Sequence, residues 1–266
     1  MPELAEVAYA CSLWKPGINK QIIKVYLNNS SRVFRDCDTE LLAQGIVAEI
    51  LKQSSTHGKQ MLFQFSGDRW LGLHLGMTGS LSMGPSSYQP VKHDALVLYQ
   101  SKASLIFKDP RQFGKIRLHL GKTSPSWWDD LPPSILSKEF KKQTVLKALS
   151  KHAKRPVKAL LLDQRYFQGM GNWMADEVLW RTGIHPASRC GQIDETAAND
   201  LFTKILFVAK GAMKSVGKNG GDPPKGWLFH ARWKDGGVCP KTGKNLRREK
   251  IGGRTSCWCP DSQKFS

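Results

Sequence analysis

Over the first 120 residues the apolar positions come in short runs. IIKVYL (22–27), IVAEILKQ (46–53), QMLFQF (60–65), RWLGLHL (69–75), ALVLYQ (95–100) and KASLIF (102–107) are rich in branched and aromatic residues, and several alternate. Turn signals such as Ser66-Gly67-Asp68 separate them. Short strands at this spacing predict an antiparallel sandwich or barrel. Residues 3–14 depart from the pattern: Leu4, Val7, Ala8, Cys11 and Leu13 suit one helical face. Glu3 and Glu6 then fall in the first turn, where a helix dipole favours anions.

From about residue 135 the period becomes helical. Segments 143–152, 156–163, 173–182 and 194–216 are predicted helices, with Gly183 and Pro186 as stop signals for the third. GKTSPSWWDDLPPS (121–134) mixes Pro, Ser, Gly and acids as a linker does. GKNGGDPPKGWLFH (217–230) is expected as a mobile loop, and the last 30 residues as a small β-hairpin. The predicted chain is two-domain α+β. A β-sandwich with a leading helix occupies 1–125, a linker 126–140, a helical domain 141–228 and a hairpin finger 229–266.

Composition adds a direction. The 266 residues carry 40 Lys+Arg against 22 Asp+Glu, a formal net charge of +18, with 40% hydrophobic content. That content allows real cores, and the charge points to a polyanionic partner, nucleic acid first. No apolar run approaches the roughly 18 residues of a membrane span. The start, MPELAEVAYA, has acids where a secretory signal has a basic region. The expectation is a soluble intracellular monomer without a membrane partner, in the cytoplasm or nucleoid of a bacterium or the nucleus of a eukaryote. Charge is also uneven. Residues 138–158 hold eight Lys/Arg against Glu139 alone, and 214–266 hold twelve against four acids. Such runs are usually solvated faces; both flank Gly-rich turns here, which suits phosphate binding. The six cysteines show no disulfide framework.

Candidate chemistry begins at the N-terminus. Methionine removal would leave Pro2 first, with a secondary amine partly unprotonated near neutrality. Such an amine can attack a sugar C1′ and form an iminium, and Glu3 and Glu6 stand ready to move protons. Met-Pro-Glu alone means little. GKQMLFQF (58–65) places Lys59 at a turn, HLGMTGSL (74–81) puts Met77 on a Gly-flanked loop, and DPRQFGK (109–115) carries Arg111 and Phe113. An apolar wedge, a planar cation and an aromatic ring on loops can replace a base displaced from a duplex. Taken singly, Met77 and Phe113 fit a core equally well. In LLDQRYFQGMGNWMADEVLWRTGIHP (161–186), Gly169 and Gly171 form a Gly-x-Gly turn and Asn172 is expected to cap the following helix. Such a helix end offers N–H groups to a phosphate.

In this order and spacing the motifs PELAE, the Gly58-Lys59 turn, HLGMTGSL, KHD (92–94), DPRQFG and the 161–186 string resemble the formamidopyrimidine-DNA glycosylase/endonuclease VIII family of base-excision repair enzymes. The resemblance spans nearly the whole chain. It implies a β-sandwich followed by a helix-two-turn-helix domain with a finger, and damaged double-stranded DNA in the cleft between them. It implies glycosylase and AP-lyase activity, with Pro2 as nucleophile, Glu3 as general acid/base and Lys59 contacting phosphate and assisting catalysis. Glu6 and Glu177 would support the site. Met77, Arg111 and Phe113 would fill the void, and His93, Lys158, Asn172 and Arg254 would contact DNA. Two departures stand out. The usual PELPE has Ala at position 5, a structural place. The family's zinc finger has two Cys-x2-Cys pairs separated by sixteen residues; here the frame holds Cys239, Thr242, Cys259 and Ser262. Hydroxyls are poor zinc ligands. The expectation is a zincless finger with no cofactor, a Cys239–Cys257–Cys259 metal site being the alternative. Two rivals are weaker: a non-catalytic descendant would have lost Pro2, Glu3 or Lys59, and a zinc-dependent hydrolase lacks its His/carboxylate cluster. For the lesion, the Met77/Arg111/Phe113 set resembles the oxidised-purine branch (8-oxoguanine, formamidopyrimidines). The LDQRYFQGMGN string and finger resemble eukaryotic endonuclease VIII-like proteins, which favour oxidised pyrimidines and ring-opened purines.

Overall fold

A computed structural model describes residues 1–264. It divides into two compact units. One comprises Met1–Pro2 and Glu6–Leu131; the other comprises Glu3–Ala5 and the chain from Pro132 onward. The division falls within the expected linker, and residues 265 and 266 of the expected finger lie outside the described residues.

The first unit is a β-sandwich. Helix α1 (Leu4–Ser12) leads to β1 (Lys24–Leu27), α2 (Thr39–Ile46), β2 (Leu51–His57), β3 (Gln60–Phe65), β4 (Arg69–His74), β5 (Ser80–Pro85), β6 (Asp94–Tyr99), β7 (Ala103–Lys108), β8 (Lys115–Leu120) and the short α3 (Ser126–Asp129). Two antiparallel four-stranded sheets run β1-β6-β7-β5 and β2-β3-β4-β8. Phe63, Phe65, Leu71 and Leu73 of one sheet and Leu96, Leu98, Leu105 and Phe107 of the other share a core with Val7, Trp14, Leu42 and Ile46. Alternation explains this: Val97 and Tyr99 point to the opposite face and meet Ile106, Tyr26 and Tyr88.

Three stretches differ from the sequence expectation: 46–53, β5 and β8. The predicted strand 46–53 begins only at Leu51; before it lies α2, whose Leu42 and Ile46, four apart, are fully buried. Asp38 caps this helix by accepting from Leu41 N at 2.9 Å. Strands β5 and β8 also escape the hydrophobic pattern, because SLSMGP and KIRLHL are too polar to stand out. In the linker, Trp127 lies over Gly72 of β4, where a Cβ would come within 2.3 Å of its ring.

The second unit holds α4 (Lys142–Lys151), α5 (Val157–Leu161), α6 (Asn172–Thr182), α7 (Glu195–Lys214), α8 (Val216–Asn219) and a hairpin of β9 (Arg247–Ile251) and β10 (Arg254–Trp258). Its core joins Val145, Leu149, Leu160, Phe167, Val178, Leu201, Ile205 and Val208. Gly183 ends α6 in the left-handed conformation, φ 70°, as its position predicts. The 217–230 loop is partly helical. Helix α8 occupies its start, residues 228–230 form a 3-10 turn, and His230 Nε2 lies 2.9 Å from Pro223 O.

Candidate active site

Glu3 belongs structurally to the second unit, although the sequence assigns it to the sandwich. Gly169 and Gly171 shape the turn before α6, with Gly169 at φ 101°. Leu4 N donates to Gly169 O at 3.1 Å, which lays the N-terminal segment against that turn. The Glu3 carboxylate then accepts from Trp173 N at 2.9 Å and Met174 N at 3.2 Å. These are orphan donors of the first helical turn, and the helix dipole favours an anion there. Gly171 is the residue just outside the helix and has no side chain to cap with. A Cβ on it would sit 2.1 Å from Glu3 Cδ, so only glycine admits the carboxylate. Glu3 is 2% exposed. Pro2, its chain neighbour, is half-buried, and Glu6 stands half-buried in the first turn of α1.

Asn172 therefore does not cap α6, contrary to expectation. It is the first helical residue, and its Nδ2 donates to Thr255 O of β10 at 2.9 Å. Lys158 is also displaced from its expected role. It is 0% exposed, whereas a direct phosphate contact needs an accessible ammonium. Its Nζ donates to Asn172 O at 2.7 Å and to Asp176. Asp176 also receives Arg232, and Cys257 N at 3.1 Å. Burial pulls the Lys158 ammonium below the ordinary lysine range, and Asp176 opposes that shift. This cluster ties β10 to α6. Glu177, expected to support the site, is fully buried in its own network. It accepts from Arg181 Nε at 2.8 Å and Phe229 N at 3.3 Å, fastening the 228–230 turn to α6. Burial raises its carboxyl above the usual range despite Arg181.

In the first unit, Lys59 occupies the β2–β3 turn and is largely buried. Met77 is half-buried on the β4–β5 loop and lies outside the main core. Arg111 is exposed, and its guanidinium lies 4.9 Å from the Phe113 ring centre. Phe113 is 48% exposed, so the core reading fails for it. His93 takes φ 76°, rare for a non-glycine residue, and borders a polar cavity of about 450 Å³ with Lys92, Asn28 and Gln112. His74 is a residue that sequence reasoning missed, although it opens the quoted HLGMTGSL string. Its Nδ1 accepts from Gly76 N at 3.0 Å, which leaves Nε2 as the proton carrier. Burial first, then Lys59 and Arg117, bring its pKa down to about 4. It lines a cleft of about 270 Å³ with Arg35, Lys115, Arg117, Phe113 and Trp127. A neutral N–H donor among three cations suits a phosphate oxygen.

In the finger, Arg254 opens β10 after Gly252-Gly253 and is exposed. Cys239 and Cys259 are buried in a small core with Trp180, Leu228, Leu246 and Cys257. Trp180 Nε1 donates to Cys239 Sγ at 3.3 Å, and Thr242 Oγ1 lies 3.4 Å from Cys259 Sγ. Burial opposes ionisation of Cys259, but hydrogen bonds led by Thr242 outweigh it and bring the thiol to about 7. Burial and then Asp176 push Cys257 up to about 12. Among the described residues, no group of three or more His, Cys, Asp or Glu is placed to hold a metal ion. Two thiols and two hydroxyls do not make the donor set that tetrahedral zinc requires. No helix among these residues is long and apolar enough to cross a membrane.

Comparison with known proteins agrees with this arrangement. Residues 1–116 match the formamidopyrimidine-DNA glycosylase N-terminal domain, and residues 131–221 match the formamidopyrimidine-DNA glycosylase H2TH domain. A formamidopyrimidine-DNA glycosylase of Psychromonas ingrahamii is 33% identical over 275 residues, covering 99% of this chain and 100% of that protein. One from Arabidopsis thaliana is 28% identical, covering 100% of this chain and 71% of the plant protein. Among solved structures, Lactococcus lactis Fpg bound to DNA containing N7-benzyl-Fapy-dG superposes with a TM-score of 0.89 at 26% identity, covering 99% of this chain and 100% of that one. The same enzyme bound to abasic-site DNA gives 0.88 at 26% identity, covering 98% and 99%.

Proposed function

Since the chain belongs to the formamidopyrimidine-DNA glycosylase family, we propose that it excises oxidised bases from damaged duplex DNA and then cuts the strand as an AP lyase. The observation that carries this reading is the Glu3 carboxylate, fixed on the α6 N-terminus one residue after the amine that would react. Removal of Met1, which is 50% exposed, frees the Pro2 nitrogen. A damaged nucleotide turned out of the stack presents its C1′ to that nitrogen, and damage lowers the cost of turning it out. The nitrogen lone pair forms the N–C1′ bond as the C1′–base bond breaks, and the base takes up a proton as it leaves. Loss of the nitrogen proton and opening of the sugar ring give an iminium. Glu3 is the proton carrier for these transfers. Removal of a C2′ proton then expels the 3′ phosphate, and a second elimination expels the 5′ phosphate. Hydrolysis of the iminium returns the amine.

The remaining residues bind and shape. Met77, Arg111 and Phe113 stand on loops where they can occupy the gap left by the base. Lys59, His74 and Arg254 offer donors to phosphates, and His93 adds another on its strained loop. Asn172 and Lys158 act on DNA through the α6–β10 junction that they hold together. The substrates proposed are 8-oxoguanine, formamidopyrimidines and oxidised pyrimidines. A panel of duplexes with one lesion each, assayed for nicking, tests the function. Nicking at oxidised bases is expected, with loss in Glu3→Gln while duplex binding persists. Binding without nicking across the panel would overturn it.

A further inference from the structure

The KHD motif (92–94) and residues 109–112 meet the 28–32 loop around the polar cavity of about 450 Å³. Hydrogen bonds fix these loops to one another and to the sheet. Asp109 N donates to His93 O, Arg32 N to Gln112 Oε1 and Asn28 N to Ala95 O, each at 2.9 Å. His93 and Gln112 both take left-handed backbone here, φ 76° and 55°. Outside glycine this conformation costs energy, and it concentrates at ligand sites. Ser31 is 7% exposed and borders the cavity, and its hydroxyl has no hydrogen-bond partner among the described residues. A buried polar group left in that state is uncommon and destabilising until something bonds it. The space exceeds one water's share of roughly 30 Å³ and falls within the roughly 300–1,000 Å³ of small-molecule sites.

We propose that this cavity binds a single nucleotide, with its phosphate on Lys92 and His93 and its base edge on Ser31, Asn28 and Gln112. The bonding groups select an acceptor-rich ligand. Gln112 Oε1 is taken by Arg32 N, and Asn28 Oδ1 by the Ser30 hydroxyl at 2.7 Å, so both amides have their NH2 groups to offer. The Ser31 hydroxyl can donate or accept. Asp109 also borders the cavity, but its carboxylate already accepts from the Thr78 hydroxyl at 3.0 Å and from Gly114 N at 2.6 Å. Lys92 is exposed and supplies positive charge for a phosphate. Pro90, Val91 and the Tyr26 ring add apolar surface for the flat face of a base. A phosphate joined to a carbonyl-bearing base meets the ammonium, hydroxyl and amide donors together. The same chemistry is found in a free nucleotide and in one unit of a nucleic-acid strand. The inference stands apart from excision, since holding a nucleotide here requires no step at Pro2 or Glu3.

The test is an NMR titration of the isotope-labelled full-length protein with deoxyguanosine 5′-monophosphate, whose base edge carries two acceptors. A second arm uses a guanine-containing single-stranded tetranucleotide. Saturable shifts confined to residues 28–32, 91–93 and 109–112 are expected in at least one arm, and the arm that responds identifies the source as free nucleotide or strand. Ser31→Ala should weaken binding roughly threefold to tenfold, and Ser31→Thr, which keeps the hydroxyl, should restore it. Lys92→Gln, at an exposed position where folding is not at stake, should weaken binding of the monophosphate more than that of deoxyguanosine. No saturable shift in either arm, equal affinity for inorganic phosphate at the same resonances, or undiminished binding by both Ser31→Ala and Lys92→Gln would overturn the proposal.

Discussion

Glu3 is readable from PELAE as a candidate acid, but its partners are 170 and 171 residues away, and nothing near it in the chain announces them. Its replacement by Gln keeps the size and one acceptor while removing the charge that α6 favours. Base excision should fall by about 10²–10⁴-fold, with duplex affinity little changed, as measured by single-turnover excision beside a binding titration. His74 makes a different prediction. With its pKa at about 4 against an ordinary 6.5, the folded protein holds it neutral. Between those values the unfolded chain binds the proton and the folded one does not. Its contribution to stability is thus complete above about 6.5 and lost as pH falls toward 4. An NMR titration should place the His74 midpoint near 4, and His74→Asn should flatten that part of the stability profile. A midpoint at the ordinary value would refute the buried, cation-flanked setting.

At the scale of elements, α6 joins three parts of the second unit. One end binds Glu3, its middle holds the finger through Asp176, and Glu177 holds the 228–230 turn. Gly171→Ala should force Glu3 from its donors and abolish excision with the helix intact, as judged by circular dichroism alongside the nicking assay. Asp176→Asn leaves Lys158 and Arg232 buried without their counter-charge and should cost about 3–5 kcal/mol of unfolding free energy. Asp200→Asn breaks a half-exposed pair with Lys204 on α7 and should cost about 0–1 kcal/mol by the same denaturation measurement. Element type was largely legible, since the strand runs other than 46–53 and the helical period after residue 135 match observed elements. What was lost depended on tertiary partners. Helix α2 hides in a short segment whose cap is plain only once Leu42 and Ile46 are seen to share a buried face. Lys158 resembles any lysine of a basic run until Asp176 and Arg232 are placed around it. Asn172 looks like a cap because Glu3, the group that does the capping, comes from the other end of the chain.

Over the whole molecule, the charge of +18 now divides by task. Lys158 and Arg232 are buried and structural, while Arg35, Lys115 and Arg117 line the His74 cleft and Arg111 and Arg254 are exposed. Binding to duplex DNA should weaken linearly on a log–log salt plot, and Arg254→Ala should lower the slope by about 1. Affinity of this kind does not make an enzyme; the nucleophile does. The direct test is borohydride reduction during turnover on a lesion-containing duplex, followed by mass mapping of the cross-linked peptide. A single adduct on the nitrogen of Pro2 is expected, absent from Pro2→Gly or from protein that retains Met1. An adduct on a lysine, or full nicking by protein with a blocked N-terminus, would contradict it.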